Sequence, residues 1–369
     1  MALNSALFSR AIRANLHRIH HRSPRLAPLN LTLRKMSSSI PTERYAIGIN
    51  KTGDFDVLEK VKVPLKVLPE DIVVKSEYLG INFIDTYYRQ GLYPVKEFPA
   101  VIGTEMAGTI LALPTDEKSF ERPRVQETWL HCRCQGRGAW KGVHVLPPGV
   151  STRIGAAALL QGMTALSFIE EAHKVQKGKT ILVHTVAGGL GLLFAQLIKA
   201  RGATVIGTTS TKEKAELAKA NGADHVILYK EEDTVQRVLE ITNGVGVDAV
   251  FDGVGKDTFD SNFKMLKRKG TLVSVGNASG AVPPFAPIRL VEKNLKLLRP
   301  TVGNYAQTAE ELRHYTTQLF ALVADGSLKI KIHQEYPFTA EGAKQAQKDL
   351  TGGKSTGKLL IKVDEDSRM

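Results

Sequence analysis

Between Thr180 and Val275, apolar strand-like runs alternate with segments of helical period, and this alternation restricts the chain more than any other feature. Thr180-Ile181-Leu182-Val183-His184 is a buried-strand run. Leu190, Leu193, Phe194 and Leu197 then recur at i, i+3, i+4 and i+7, one apolar helix face. Thr204-Val205-Ile206 predicts the next strand, and Lys212 to Asn221 is rich in helix formers and closed by Gly222. Val226-Ile227-Leu228 is a strand, Val235, Val238 and Leu239 mark a helix, and Asp248-Ala249-Val250-Phe251 is a further strand. Phe259 to Lys269 closes at Gly270 before the strand Thr271-Leu272-Val273-Ser274-Val275. Repeated βα units with short loops call for a parallel sheet covered by helices on both faces, an α/β doubly wound arrangement.

Val186-Ala187-Gly188-Gly189-Leu190-Gly191 lies between the first of these strands and its helix. In that context Gly188 and Gly189 let backbone N–H groups approach a pyrophosphate, and Gly191 allows close helix–strand packing. The helix N-terminus adds partial positive charge beside the phosphates. Val186 stands at the first position of G-x-G-x-x-G, so the match is incomplete, and a purely structural turn is the competing reading. The end of the following strand selects the nucleotide. NAD sites carry Asp or Glu about 20 residues beyond the glycines. Here that place reads Gly207-Thr208-Thr209-Ser210-Thr211-Lys212-Glu213-Lys214. Its hydroxyls and lysines suit a 2′-phosphate through charge-assisted bonds, so NADP(H) is favoured. Glu213 keeps NAD open as an alternative.

Outside this block the chain reads differently. From Arg44 to about Val74, short β-rich pieces such as Ile72-Val73-Val74-Lys75 are punctuated by Gly and Pro, which indicates an irregular β domain. Thr308-Ala309-Glu310-Glu311 is a capping-box signature opening a helix through Leu312, Leu319, Leu322 and Val323 to Gly326. Lys358-Leu359-Leu360-Ile361 reads as a closing strand.

Three ordered stretches carry a family resemblance: Gly80-Ile81-Asn82-Phe83-Ile84-Asp85-Thr86-Tyr87, Gly91-Leu92-Tyr93-Pro94 and Gly103-Thr104-Glu105. It continues in Gln161-Gly162-Met163-Thr164-Ala165, the glycine turn, Val254-Gly255-Lys256-Asp257-Thr258-Phe259, Gly276-Asn277-Ala278-Ser279-Gly280 and Arg299-Pro300. From about Arg44 to Val363 the chain resembles the zinc-free quinone oxidoreductases, the ζ-crystallin-like branch of the medium-chain dehydrogenase/reductases. The resemblance implies a GroES-like irregular β-barrel catalytic domain with a Rossmann domain and NADPH in the cleft. It divides the chain into a leader at 1–42, a catalytic domain at 43–160, a Rossmann domain at 161–301, a part at 302–363 returning to the catalytic domain, and a tail at 364–369. Zinc relatives carry Cys where Asn82 stands and His where Thr104 stands. Neither residue here is a good zinc ligand, and the four-cysteine structural lobe is absent, so no metal is expected.

By the resemblance, Asn82, Asp85, Tyr87 and Tyr93 line the nicotinamide and substrate cleft. Asn82 or a tyrosine hydroxyl would hydrogen-bond the acceptor carbonyl as charge develops there. Thr164, Gly189 and Leu190 match positions near the diphosphate and nicotinamide, and Gly188 and Gly191 complete the turn. Thr208, Ser210, Lys214 and Tyr229 fall at the adenosine-phosphate end. Val275, Gly276 and Asn277, then Val302, match positions flanking the nicotinamide. Relatives often have Ser where Gly253 stands and an aromatic where Val275 stands, so the chain departs from the family at both. As isolated residues, Asn82 and Asp85 also read as loop-shaping side chains, and the tyrosines as packing aromatics.

The stretch 122–144 does not follow the family pattern. Arg122-Pro123-Arg124-Val125 is followed by Gln126 to Arg137 without the period-2 alternation of a strand, and the family pattern returns only at Val145-Leu146-Pro147-Pro148-Gly149-Val150. An eroded strand or a mis-assembled gene accounts for this better than metal binding. His131, Cys132 and Cys134 form one cluster without a distant partner pair. These two cysteines are the only ones in the chain, which excludes a disulfide framework.

The net charge of +13 over 369 residues would fit a nucleic-acid or membrane-surface partner if it were spread evenly. It is not. Residues 1–42 contain no acid and seven cations, which is over half of the excess. With Leu3, Leu7, Phe8, Ile12 and Leu16 at roughly helical spacing, the leader reads as a mitochondrial transit peptide. An internal start at Met36 would instead give a cytosolic form. Ser367-Arg368-Met369 is a variant of a peroxisomal tripeptide, a pattern common by chance. No run of about 18 apolar residues is present, so no membrane-spanning helix is expected.

These readings point to an NADPH-dependent reductase of quinones. An alkenal or enone double-bond reductase on the same fold is the neighbouring alternative, because fold does not settle substrate. RNA binding by a chain keeping the cofactor site as a relic is a third reading, and the body lacks basic stretches interleaved with aromatics. A homodimer is expected from the resemblance.

Overall fold

The computed structural model describes residues 40–67, 71–112, 129–132 and 143–364. Residues 1–39 of the leader, the C-terminal tripeptide and most of the atypical 122–144 stretch lie outside the described residues. Two compact units emerge. One comprises Gln161–Ala306 with Asp325–Lys331; the other comprises the residues up to Leu160, Gln307–Ala324 and the chain from Ile332 onward. Residues 302–306 and 325–331 therefore belong with the nucleotide-binding unit rather than with the returning segment.

The catalytic unit begins with β1 (Glu43–Ile49), paired antiparallel with β2 (Leu58–Pro64). β3 (Val73–Ile81) leads into α1 (Phe83–Gln90), and β4 (Ala100–Val101) joins the other edge of β1. β5 (Glu105–Ala112), β6 (Trp129–Cys132) and β7 (Val143–Val145) then form an antiparallel run. β6 lies in the stretch expected to be eroded. It pairs by backbone with β5 on one side and β7 on the other, so a short strand persists there without side-chain alternation. α2 (Thr152–Ser167) carries the chain from this unit into the next.

The nucleotide-binding unit contains β8 (Thr180–Val183), α3 (Gly189–Ala200), β9 (Thr204–Thr209), α4 (Lys212–Ala220), β10 (His225–Leu228), α5 (Thr234–Ile241) and β11 (Val247–Asp252). α6 (Phe259–Met265), β12 (Leu266–Ser274), β13 (Lys296–Leu298) and α7 (Val302–Tyr305) follow. The six strands are all parallel, in the order β10-β9-β8-β11-β12-β13. The order reverses between β8 and β11, which is the topological switch point of a Rossmann sheet. The helix of the Phe259–Lys269 segment stops at Met265, because Leu266 enters the sheet and the core. Lys267–Gly270 leave the ladder between the Val247–Leu266 and Ala249–Thr271 pairs, with Lys269 at φ 65°.

α8 (Ala309–Ala324), β14 (Ile332–Pro337), α9 (Ala340–Thr351) and β15 (Lys358–Lys362) return to the catalytic unit. β14 and β15 are parallel, and β15 pairs antiparallel with β3, giving a sheet β14-β15-β3-β5-β6-β7. The returning segment is integral to this unit's core. Tyr336, Phe338, Leu350, Leu359 and Ile361 pack with Ile47, Ile49, Leu58 and Ile81. Among the described residues no helix is long and apolar enough to cross a membrane.

Phe251 on the central strand β11 is 1% exposed, and its ring lies 4.8 Å from that of Phe194 on α3. Phe251→Ala is expected to destabilise the chain by about 3–5 kcal/mol, read from the urea midpoint and slope of unfolding.

Candidate active site

In the nucleotide-binding unit the candidate cofactor residues gather at the carboxyl ends of the parallel strands, where ligands of such sheets bind. The turn after β8 places Gly188 as the N-cap of α3, so no side chain caps the first-turn N–H groups. Gly191 is sterically obligatory: a Cβ there would stand 2.3 Å from the Thr185 carbonyl oxygen. Gly189 abuts Gln161, whose Oε1 would lie 2.5 Å from an added Cβ. Leu190 occupies the first turn of α3, and Thr164 lies one helical turn beyond Gln161 on α2. An uncapped helix start with glycines is a cradle that fits a dinucleotide pyrophosphate.

Behind this turn runs a buried polar network not anticipated from the sequence. His184 Nδ1 lies 3.0 Å from Thr208 Oγ1, and its Nε2 lies 2.9 Å from Asn262 Oδ1. Asn262 Nδ2 donates to Asp252 Oδ2 at 2.7 Å. Because Asn262 presents its carbonyl oxygen, His184 carries its proton on Nε2 and accepts from the Thr208 hydroxyl at Nδ1. Asp252 Oδ1 accepts the Val254 and Gly255 amides and the Thr258 hydroxyl. Its main-chain oxygen accepts the amides of Val275 and Gly276 at 2.7 and 3.2 Å. Thr208 is 3% exposed, and its hydroxyl lies against His184 and the Thr185 amide behind the turn.

Ser210, Lys214 and Tyr229, the residues expected at the adenosine end, lie just after β9, in the first turn of α4 and just after β10. Partial burial and the neighbouring Lys230 ammonium hold Lys214 below its ordinary pKa. A phosphate dianion placed beside both lysines would relieve that repulsion. Glu213 is held below its usual value by its own backbone N–H and by the Thr211 hydroxyl, so it serves the helix start. Val275, Gly276 and Asn277 follow β12, and Arg299 Nη1 donates to the carbonyls of Ser274 and Val275 at 3.0 and 2.8 Å. Val302 begins α7, whose N-cap hydroxyl, from Thr301, accepts from Asn304.

In the catalytic unit, Asn82 and Asp85 form a capping box at the start of α1. Asp85 Oδ2 accepts the Asn82 amide at 2.8 Å, and Oδ1 accepts the Thr104 hydroxyl at 3.3 Å. The Asn82 carboxamide is spent: Nδ2 donates to Glu105 Oε2 at 3.0 Å and Gly80 O at 3.3 Å, while Oδ1 accepts Lys358 Nζ at 2.7 Å. Asn82 is thus a buried hub between β5, β15 and the start of α1. An ammonium at that distance also repels a divalent cation, so the positions matching zinc ligands do not fit a metal. Among the described residues no three His, Cys, Asp or Glu side chains form a metal-binding group.

Tyr87 is buried and Tyr93 half-buried, with ring centroids 5.4 Å apart in an edge-on arrangement, and Tyr88 lies 5.7 Å from Tyr93. The far end of α1 is held by Arg89, fully buried, whose Nε donates to Gln347 Oε1 at 2.7 Å. Structure thus brings Asn82, Asp85, Tyr87 and Tyr93 together on and beside one helix, with the last two as the packed phenols.

Residues 68–177 match the alcohol dehydrogenase GroES-like domain, and residues 189–318 match the zinc-binding dehydrogenase domain. A quinone oxidoreductase of Pseudomonas aeruginosa is 37% identical over 81% of this chain and 93% of its own. The chain belongs to the zinc-free quinone oxidoreductases of the medium-chain dehydrogenase/reductase superfamily. The crystal structure of Escherichia coli quinone oxidoreductase complexed with NADPH superposes with a TM-score of 0.79 at 35% identity, covering 86% of this chain and 99% of that one. A 2-haloacrylate reductase of Burkholderia is 33% identical over 86% of this chain and 98% of its own. Within this family, His184, Asn262, Asp252, Glu105 and Lys358 are the residues that sequence reasoning passed over. Each looks ordinary in its local window and acquires a role only through distant partners.

Burial raises the Asp85 pKa to about 7, against the lowering effects of the Asn82 amide, Lys358 and Thr104. The native chain then binds a proton that the unfolded chain releases near the ordinary aspartate value of 3.8. Stability contributed by this group is complete below that value and is lost as pH rises through about 7. Asp85→Asn, which keeps an acceptor for the Asn82 amide, is expected to remove that loss. Denaturant unfolding at a series of pH values between about 4 and 8 should show a flatter profile than the parent.

Proposed function

We propose that this protein is an NADPH-dependent quinone reductase acting without zinc. The observation that carries the reading is kinship over nearly the full length of quinone oxidoreductases, one of them solved with NADPH. Bound NADPH supplies the hydride. The chain's own residues bind and orient. The first turn of α3 receives the pyrophosphate, Lys214 and Lys230 receive the 2′-phosphate, and Val275, Gly276, Asn277 and Val302 flank the nicotinamide. Tyr93, the more exposed of the packed phenols, is the hydroxyl we assign to the acceptor's oxygen, with Tyr87 behind it. The Burkholderia relative's name supports conjugated double bonds as a secondary acceptor class.

The test is NADPH oxidation by the purified chain from residue 37 onward, with 9,10-phenanthrenequinone compared with alkenals. Turnover with the quinone at least about tenfold above the alkenals supports the reading. The reverse ratio assigns the chain to double-bond reduction. Reversing both charges, Lys214→Glu with Lys230→Glu, is expected to raise KM for NADPH by about tenfold or more and to leave NADH oxidation unchanged.

We also propose that the chain works as a homodimer and that its leader directs it to mitochondria. The dimer reading is supported by the edge strand β13, which carries the exposed Leu298, and by the exposed Ile288 and Val291 in the segment that precedes it. Sedimentation of Ile288→Asp/Val291→Asp should give a monomer where the parent gives a dimer.

A further inference from the structure

The last strand brings one ammonium into the interior of the catalytic unit. Lys358 opens β15, and its side chain is 1% exposed. Its Nζ donates to Asn82 Oδ1 at 2.7 Å and to Glu105 Oε2 at 2.5 Å. Glu105, whose side chain is fully buried, uses Oε1 to accept the Leu160 amide at 2.7 Å. Asn82 in turn donates to Glu105 through Nδ2 and to Asp85 through its backbone. A single cation thus closes a set of bonds joining β15, β5, the start of α1 and the middle of α2.

We propose that Lys358 is a positioning residue of the reductase, setting α1 through Asn82 and α2 through Glu105. α1 carries Tyr87, whose carbonyl also accepts the amide of Tyr93 at 3.2 Å. α2 is fixed at Leu160, the residue before Gln161 and one turn before Thr164. The ammonium acts only through these groups. A carboxylate oxygen and an amide oxygen converge on it, and both are acceptors that no neutral alkyl chain could satisfy. Without the cation, Asn82 and Glu105 must turn toward other donors. That reorientation reaches both helices, because each side chain also holds a helix amide or a helix cap.

This inference rests on the assignment of Tyr87, Tyr93 and Thr164 to the reductase site. The full chain is compared with Lys358→Met and with the charge-neutral pair Lys358→Met/Glu105→Gln, which leaves no uncompensated buried ion should the single variant fail to fold. The pair variant is expected to fold cooperatively and lose about tenfold or more in kcat, with KM for NADPH changed less than about threefold. The amides of Leu160 and of residues 83–86 should exchange about tenfold faster than in the parent. A pair variant with parental kcat, or with parental exchange at these amides, overturns the proposal. A parent chain inert toward quinones sinks the reductase reading instead, and the exchange rates then decide the role of Lys358 by themselves.

Discussion

The start of α3 reaches the end of β8 only because residue 191 has no side chain. A Cβ there would overlap not one atom but a backbone wall, at 2.3 Å from Thr185 O and 2.7 Å from Val186 Cα. That close approach aims the uncapped helix start at the space beyond the strand ends, in a turn where Thr185 has a left-handed φ of 54°. It also explains the imperfect glycine pattern. Val186 occupies the position usually given to the first glycine, with its side chain wholly buried. A Cβ on Gly207 of β9 would lie 2.4 Å from Val186 Cγ1. The glycine missing from the turn is thus matched by one on the neighbouring strand, which makes room for the valine.

Both units tie their elements together with networks of buried, hydrogen-bonded polar groups. In the nucleotide-binding unit His184, Asn262 and Asp252 tie Thr208 on β9 to the amides of Val254, Gly255, Val275 and Gly276. In the catalytic unit Lys358, Glu105, Asn82 and Asp85 perform the same task for α1 and α2. Such networks are costly when one member is lost. Breaking a buried ion pair by removing one partner costs about 3–5 kcal/mol. That cost gives the site a defined geometry that apolar packing alone would leave adjustable.

The parallel sheet, the glycine turn and the capping box were legible because each is a local pattern. Thr308 N–H donates to Glu311 at 2.9 Å and Glu311 N–H to Thr308 at 3.2 Å, the reciprocal pair that their spacing announces. What stayed hidden depends on partners far away in the chain. Lys358 reads as an ordinary strand-opening lysine until β15 pairs with β3 and delivers it to Glu105, 253 residues earlier. The contact between the Thr208 hydroxyl and His184, 24 residues apart in the chain, is likewise invisible in either local window. β6 escaped for another reason. A strand bonded on both sides is held by its backbone, so period-2 alternation is not required of it.

The commitment of Asn82 bears on the chemistry. Its amide nitrogen could donate to an acceptor carbonyl only by giving up its bond to Glu105 Oε2 or the longer one to Gly80 O, and such bonds are worth about 0.5–3 kcal/mol, the charged one most. That penalty would consume up to about two orders of magnitude of any rate gained. Tyr93 packs edge-on against Tyr87 and Tyr88, an arrangement that orients its phenol. With no Lewis acid fitted at the zinc-ligand positions and no amide to spare, acceleration falls to orientation, which alone supplies effective molarities of about 10⁵ M or more. Orientation suffices for an acceptor already poor in electrons. An unactivated carbonyl would need the polarisation that this site has spent on holding its own helices, and a quinone does not.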